Sequence, residues 1–451
     1  MRWLILGHYS AGTRRDRMSE QKVMNRWVVV AGALMIQLAL GSLYAFSIFT
    51  SPLSDSLGYA STSFQILGIF AAAIAVFAVT VIPAGRLQDR KGPRLVATIG
   101  GLIVGAGYLV ASQSTDNIVM MYLSYGVIGG IGLGFGYVCP LAASVKWFPD
   151  KKGLVSGIAV AGFGAGAFLF TQVGKAFISD FGLGSAMLYL GVTFAAMVVI
   201  GAQLLVNPPA GWVPAGYKPA SNLNSNGERR KMDYHYREMV KTRSFPLLWL
   251  MFALSATAGL MMISNVKNLG IYLDPSKSTM VVLEAQTIAG ILALFNASGR
   301  IGWGKLSDVL GQTSTLKIMF LMQAVILFSA AGFFAVKPEG ELVQFLGLTS
   351  LASLVGFTFG GNFALFPSIT SEYYGTRNMG NNYGYVFTSY GFSGVLGALI
   401  PGVLAGSQSG FVYVFIAVGI ASLAAFGFAL VTRQPEGAES PSELPAVPGM
   451  I

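Results

Sequence analysis

The chain has 451 residues, of which 54% are hydrophobic and 11% are charged, and its formal net charge is +10. Soluble proteins carry about 25% charged residues, so this chain has too few polar side chains to cover a surface in water. A soluble fold is therefore excluded, and lipid is the solvent for most of the chain.

Charge-free stretches follow one another along the chain, each near the roughly 20 residues that a membrane-spanning helix needs. The first six occupy residues 27–54, 56–85, 95–115, 117–145, 153–174 and 181–217. The others occupy residues 244–266, 285–299, 318–336, 342–371 and 378–432, and we extend the second of these back to about Thr279 to reach the length of a span. Pro401 and the sequence Gly406-Ser-Gln-Ser-Gly410 divide the last stretch into two helices. We therefore predict an all-α integral membrane protein with twelve transmembrane helices.

The positive charges are distributed unevenly over the loops that these helices create. One face of the membrane holds 24 of the 29 Lys and Arg residues. By the positive-inside rule, both termini are expected in the cytoplasm and the protein in the cell (inner) membrane. This topology accounts for the net charge without a nucleic-acid partner. Arg14, Arg15 and Arg17 separate a short apolar run from the first span, so no signal peptide is expected.

A long polar stretch divides the chain into two parts with six helices each. We predict a cytoplasmic arm at residues 1–25, a six-helix bundle at 26–206, a cytoplasmic linker at 207–243, a second bundle at 244–432 and a tail at 433–451. The loops after the second and eighth helices place Asp89 and Asp308 at matching positions. Two similar halves are typical of secondary transporters, which hold their substrate between the halves near the bilayer midplane.

The loop after the second helix reads Gly85-Arg-Leu-Gln-Asp-Arg-Lys-Gly-Pro-Arg94, and it resembles the signature loop of the major facilitator superfamily. This resemblance implies two pseudo-symmetric six-helix bundles. We expect Asp89 and Arg90, with Asp308 in the second half, to cap helix ends and pair across helices as a cytoplasmic gate. The alternative is an ordinary positively charged loop.

Six further segments carry a narrower resemblance to oxalate:formate antiporters and monocarboxylate transporters. They are residues 41–47, 134–140, 145–149, 207–212, 296–300 and 360–367. The resemblance implies that the cargo is a small organic anion.

Arg300 is the one strong charge that lies clearly within a predicted span. A guanidinium in lipid is costly unless it is paired, and it cannot lose its proton. No Asp or Glu lies deep in any predicted span, so the carboxylate of the cargo is the expected partner. Asn296 lies one helical turn earlier on the same face and can bind the carboxylate or orient the guanidinium. The alternative is that Arg300 lies near the cytoplasmic mouth and serves the loop.

The same resemblance implies further residues at the central cavity, although helix packing is an alternative for each of them. They are Tyr44, Gln65, Tyr137, Phe163, Phe359, Phe363, Phe387 and Tyr390. An oxalate carrier of this branch has a lysine at the position of Tyr390, whereas this chain retains only one fixed cation. One cation suits a monocarboxylate such as lactate, formate, pyruvate or acetate, and the aromatic ring favours a lactate-like acid.

Proton symport is the expected coupling, because an anion entering a negative interior needs a compensating charge. Glu284, Asp274 and the substrate carboxyl are candidate proton carriers. In animal monocarboxylate transporters an acidic residue stands at the position of Asn296, so their proton mechanism does not transfer directly. The alternatives are anion exchange of the oxalate:formate kind and a membrane sensor that binds an anion without transporting it.

No other chemistry is indicated by the sequence. It contains no Walker loop and no cluster of acid, base and nucleophile at membrane depth, so neither ATP hydrolysis nor enzymatic activity is expected. The single cysteine, Cys139, is predicted to be packed within or against helices, and His8 and His235 lie in polar segments. We expect no cofactor and no metal. One chain contains both halves of a pathway, which favours a functional monomer.

Overall fold

The computed structural model describes residues 24–59, 63–209, 212–217, 233–274, 278–404 and 410–436, without the side chains of residues 64, 267, 278–284 and 398–404. Most of the predicted N-terminal arm, with His8, and most of the predicted C-terminal tail lie outside the described residues. The side chain of Glu284 also lies outside them.

The N-terminal half consists of long helices joined by short loops. The first span combines α1 (Arg26–Leu40), a 3-10 segment (Gly41–Phe46) and α2 (Ser47–Leu57). The second and third spans are α3 (Phe64–Lys91) and α4 (Pro93–Ser112). The fourth combines α5 (Ile118–Met121), a π-helical segment (Tyr122–Ile128) and α6 (Gly129–Trp147), and α7 (Lys152–Gln203) follows.

Helix α7 contains two spans, because its 52 residues reverse direction at Gly182. Gly182 has φ 78° and ψ 169°, a conformation that is open almost only to glycine. The rings of Phe170 and Phe194 lie 4.7 Å apart, whereas 24 residues of straight helix would separate them by about 36 Å. The two parts of α7 are therefore the antiparallel fifth and sixth spans.

The C-terminal half begins with a one-turn helix and continues with six long ones. These are α8 (Tyr236–Met239), α9 (Ser244–Leu273), α10 (Ser278–Leu310), α11 (Gln312–Val336), α12 (Glu341–Tyr374), α13 (Met379–Leu404) and α14 (Gly410–Val431).

The prediction of an all-α membrane protein with twelve spans is confirmed. Nine helical segments in the described residues are apolar and long enough to cross a bilayer. The reversal in α7 makes one of them two spans, and α10 and α13 complete the set. Large apolar side chains such as Val79, Leu102, Val192 and Val325 are more than half exposed on the outside of these helices. Lipid solvates such a surface, whereas water does not.

The end of the linker packs across one end of the bundle, which we call the linker side. The backbone of Tyr234 donates to the Tyr374 carbonyl at 3.0 Å, and its own carbonyl accepts from the side chain of Asn382 at 2.9 Å. The ring of Tyr236 stacks on Tyr385 of the C-terminal half, with 5.1 Å between the ring centroids. The guanidinium of Arg86, from the N-terminal half, lies 5.0 Å from the centroid of the same Tyr236 ring. The segment 233–239 therefore touches both halves.

The reversal at Gly182 generates a prediction about stability. Gly182→Ala should destabilise the fold by about 1–3 kcal/mol, because alanine rarely adopts this backbone conformation. The measurement is the thermal unfolding midpoint of the purified protein in detergent, which should fall.

Gly427→Ala is the matched control. A Cβ at Gly427 meets nothing within 4 Å, as is also true at Gly182, but Gly427 lies in regular helix. Its midpoint should stay the same or rise, because alanine favours helix over glycine. Equal midpoints for the two variants would contradict the prediction.

Candidate functional site

Arg300 lies buried between the two halves of the protein. Its side chain on α10 is 0% exposed. Nη1 donates to the Val160 carbonyl of α7 at 2.6 Å, so this bond joins the halves. Nε donates to Oδ1 of Asn296 at 3.1 Å. Within the described part of the chain, Nη2 has no hydrogen-bond partner. The guanidinium is therefore only partly satisfied.

Aromatic faces and hydroxyl groups surround the charge of Arg300. The ring centroids of Phe363 and Phe163 lie 4.4 Å and 5.7 Å from its Cζ, which are distances for cation–π attraction. Four tyrosine side chains also lie close to it, namely Tyr44, Tyr137, Tyr383 and Tyr390. No carboxylate among the described side chains forms an ion pair with it. Neutral groups alone stabilise this buried cation.

The position of Arg300 along α10 places it inside the membrane. It lies eight residues before Asp308, which corresponds to about 12 Å along a helix. Asp308 lies close to the end of α10 on the linker side. Arg300 is thus near the middle of a hydrocarbon layer about 30 Å thick, rather than at its edge.

The predicted aromatic residues form one cluster around Arg300. Ring centroids lie 5.2 Å apart for Tyr44 and Phe163, 4.8 Å for Tyr137 and Phe387 and 5.4 Å for Phe363 and Tyr390. Phe359 contacts Phe363 at 5.1 Å. The hydroxyl groups of Tyr44 and Tyr390 are hydrogen-bonded to each other. Both halves thus contribute to a common site.

Other predicted residues lie away from this cluster. Gln65 is exposed in the first turn of α3, and twelve residues separate it from Phe77, or about 18 Å of helix. Asp274 is the C-cap of α9 and is half-buried. Glu284 lies sixteen residues before Arg300 on α10, about 24 Å along the helix. The structure does not bring these three residues to Arg300.

Two aromatic residues of the cluster were not predicted from the sequence. The ring of Phe77 on α3 lies 5.1 Å from Tyr137 and 5.2 Å from Phe387. Tyr383 is 0% exposed and lies 5.6 Å from Phe387. A signal for Tyr383 was present, because residues 383, 387 and 390 share one helical face. Phe77 carries no such signal within its apolar run.

A pair of carboxylates closes the linker side of the interface. Asp89 accepts from the backbone N–H groups of Gly380 at 3.1 Å and Asn381 at 2.8 Å, at the start of α13. Lys146 Nζ lies 3.7 Å from the same carboxylate. Free N–H groups and the positive end of the dipole make a helix start a favourable site for a carboxylate.

Asp308 makes the equivalent contact in the opposite direction. It accepts from the backbone N–H groups of Gly153 and Leu154, both at 2.8 Å, at the start of α7. Each half therefore supplies a carboxylate that caps a helix of the other half. We call these two contacts the paired latch. Arg90 is exposed and takes no part in it.

Glycines let the helices approach closely enough to form the paired latch. A Cβ added at Gly85 would overlap the carbonyl oxygen of Gly380, and one at Gly304 would overlap that of Gly153. Gly85 and Gly304 each lie four residues before a latch carboxylate. The similar loops of the two halves thus share two features, a carboxylate that caps a helix and a glycine four residues earlier that allows close backbone contact.

The halves also meet on the side opposite the linker. Lys175 Nζ donates to Oε1 of Gln286 at 2.8 Å, and the Tyr44–Tyr390 bond lies deeper in the interface. The paired latch on the linker side and these contacts on the opposite side both join the halves, with Arg300 between them.

Comparisons with known proteins agree with this architecture. The sequence profile of the Major Facilitator Superfamily matches residues 30–398, with a second match at 282–449. The chain is 31% identical to an uncharacterised MFS-type transporter, YhjX, of Escherichia coli (strain K12), covering 82% of this chain and 86% of the relative. It is 28% identical to the oxalate:formate antiporter of Oxalobacter formigenes, covering 90% and 91%.

A more distant relative and one solved structure are also similar to this chain. Monocarboxylate transporter 12 of Rattus norvegicus is 25% identical, covering 76% of this chain and 73% of the relative. The proton:xylose symporter XylE has a similar structure, with a TM-score of 0.69, 12% sequence identity and coverage of 92% of this chain and 96% of that one. At this identity, XylE supports the fold alone. The chain is thus a multi-pass membrane protein that belongs to the major facilitator superfamily, with oxalate:formate antiporters and monocarboxylate transporters among its relatives.

Proposed function

We propose that this protein is a secondary active transporter of small monocarboxylates of the lactate type, coupled to protons and working by alternating access. The observation that carries the proposal is the state of Arg300. It is fully buried, it has no hydrogen-bond partner for Nη2 in the described part of the chain, and no described carboxylate neutralises it. A planar guanidinium binds a carboxylate through two parallel hydrogen bonds, so an anionic cargo supplies what the site lacks.

The preference for one carboxylate over two follows from the charge of the site. Arg300 is the only cation in the described cluster, and its surroundings are aromatic. A second carboxylate would lose its hydration there without gaining a counterion. Tyr390 occupies the position at which an oxalate carrier of this branch has a lysine. Lactate, pyruvate, formate and acetate fit this charge better than oxalate.

Substrate binding would change a contact between the halves. Nη1 now donates to Val160 of the opposite half, and a carboxylate bound by both Nη1 and Nη2 would compete with that carbonyl. Helices α7 and α13 each begin at the paired latch and then pass the cluster, through Phe163 and Tyr390. Binding at Arg300 and opening of the latch therefore involve the same two helices.

The linker side is placed in the cytoplasm by the positive-inside rule, and the host membrane is the cell (inner) membrane. Uptake of one anion costs about 2.3 kcal/mol for each 100 mV of a negative interior, and a co-transported proton removes this cost. The proton carrier would be Glu284, Asp274 or the substrate carboxyl. The site needs no second chain, so the monomer is the transporting unit.

Anion exchange is the second candidate, and the similarity to the oxalate:formate antiporter supports it. Exchange would need no proton carrier, and no described carboxylate touches Arg300. Exchange would require instead that the carrier without a bound anion switches only slowly between facing one side of the membrane and facing the other. Net flux would then need an anion on both sides.

The first prediction about transport concerns Arg300. Purified protein in proteoliposomes should take up labelled L-lactate when the lumen is alkaline, and Arg300→Ala should reduce the initial rate at least about 100-fold, as for a lost ionic anchor worth about 3 kcal/mol. Arg300→Lys should retain less than about a tenth of the rate, because it keeps the charge but loses the planar fork.

The outcomes separate the proposals. Uptake that appears only after preloading with formate or oxalate would replace symport by exchange. Binding without flux would favour a sensor. Unchanged uptake in Arg300→Ala would place the anion site elsewhere.

The second prediction concerns the number of cations in the site. Tyr390→Lys should increase the ability of oxalate to compete with L-lactate by at least about tenfold, because a second cation stabilises the second carboxylate. Tyr390→Phe is the control that removes the hydroxyl without adding charge, and it should leave oxalate a weak competitor. Equal competition by oxalate in both variants would contradict the charge argument.

The third prediction concerns the paired latch, with Cys139 as a native reporter. This single cysteine is 0% exposed and lies seven residues before Lys146, whose Nζ is 3.7 Å from the Asp89 carboxylate. Asp89→Asn should weaken closure on the linker side and accelerate maleimide labelling of Cys139 by about two- to tenfold. Asp55→Asn, at an exposed position on α2, should label at the wild-type rate. If Asp89→Asn also labels at that rate, the carboxylate does not hold the closed state.

A further inference from the structure

Two buried tyrosine hydroxyls near Arg300 face each other without forming a hydrogen bond of good geometry. Tyr137 is 1% exposed and Tyr383 is 0% exposed. Neither hydroxyl forms a hydrogen bond of normal length and angle with any residue that the structure describes. The hydroxyls of Tyr44 and Tyr390, by contrast, bond to each other. A buried polar atom without a partner costs about 1–3 kcal/mol, and phenylalanine would fill the same space without that cost.

These two hydroxyls lie together and close to the guanidinium. Tyr137 is on α6 of the N-terminal half, and Tyr383 is on α13 of the C-terminal half. Both rings pack on Phe387, at 4.8 Å for Tyr137 and 5.6 Å for Tyr383. Tyr137 also packs at 5.9 Å on Phe163, whose ring faces the Arg300 guanidinium. Tyr383 lies seven residues before Tyr390, about 10 Å nearer the linker side. The pair therefore forms a neutral polar spot beside the cation, separate from the satisfied Tyr44–Tyr390 pair.

We infer that Tyr383 is a specificity-determining residue which, together with Tyr137, binds the oxygen atom on C2 of a 2-hydroxy or 2-oxo monocarboxylate. The inference rests on the proposed function, in which Arg300 binds the carboxylate. C2 is adjacent to the carboxyl carbon, so its oxygen lies beside the carboxylate, as the tyrosine pair lies beside the guanidinium.

The chemistry of a phenol suits both kinds of oxygen. A phenol hydroxyl donates and accepts hydrogen bonds, so it can bind a substrate hydroxyl as donor and acceptor and a keto oxygen as donor. A second carboxylate would bring a charge that two neutral hydroxyls do not balance. An unsubstituted acid would leave both hydroxyls buried and unpaired. Sites built to hydrogen-bond a substrate group discriminate strongly against analogues that lack it.

The experiment compares L-lactate with propionate, which differs from it by the 2-hydroxyl alone. The full-length protein in proteoliposomes is used to measure the half-saturation concentration of each acid. In the wild type, lactate should have the lower value. Tyr383→Phe should raise the value for lactate about three- to tenfold, as expected for one lost hydrogen bond, and leave that for propionate unchanged or lower.

Tyr125→Phe is the matched control. Its hydroxyl is also buried without a bond of acceptable geometry to the described residues, but it lies twelve residues from Tyr137 on the same span, about 18 Å away along the helix. Removing it should change neither half-saturation concentration. Because Tyr383→Phe keeps the ring against Phe387, it should fold, and its thermal unfolding midpoint checks this.

The possible results distinguish a failure of the C2-oxygen subsite from a failure of monocarboxylate transport itself. Selective loss of lactate affinity in Tyr383→Phe supports a subsite for the C2 oxygen. Equal loss for lactate and propionate, or no loss for either, overturns the inference while the carrier stands. If the wild type carries neither acid, the proposed function itself fails, and the inference fails with it.

Discussion

A buried guanidinium that no described carboxylate neutralises is the constraint on which the rest of the structure depends. In lipid the charge of Arg300 costs several kcal/mol unless other groups compensate, and the fold compensates with a carbonyl, an amide and two aromatic faces. The carbonyl of Val160 and the ring of Phe163 come from the opposite half, so the cation itself holds the halves together. A ligand that replaces the bond between Arg300 and the Val160 carbonyl would remove a contact between the halves, and ligand binding could in this way be coupled to their separation.

The paired latch applies the same principle at the membrane edge, with the charges reversed. Asp89 and Asp308 are anions that find partial positive charge at helix starts of the opposite half. Because each of these helices continues into the cluster, opening of the latch would also displace Phe163 and Tyr390, which lie on the same two helices. The contacts are few and polar, and Asp308 is exposed whereas the Asp89 side chain is only 7% exposed. The glycines beside them let the two backbones approach closely when the latch is formed.

Much of this arrangement was predictable because its signals lie in side chains. Apolar length predicted the spans, an unpaired charge indicated Arg300, and the repeated loop related Asp89 to Asp308. The side-chain partner Asn296 was predicted, whereas the backbone partners were not predictable, since the carbonyl of Val160 and the N–H groups of Gly153 and Gly380 are atoms that every sequence contains. The family resemblance predicted Gln65 at the cavity, but a resemblance does not determine which face of a helix a residue occupies. Phe77 was hidden among other apolar residues.

The linker segment raises the question of whether a strap across both halves would prevent them from separating. Its contacts are unequal. Backbone and amide hydrogen bonds attach Tyr234 to the C-terminal half, and Tyr236 stacks on Tyr385 there. In residues 233–239, the cation–π contact of Arg86 with Tyr236 reaches the N-terminal half, and an exposed contact of this kind is worth about 0.5–1 kcal/mol. Because the hydrogen bonds of Tyr234 bind the C-terminal half, the segment would travel with that half, and opening would break the Arg86 contact. The strap adds a small bias toward closure on the linker side without blocking the transport cycle.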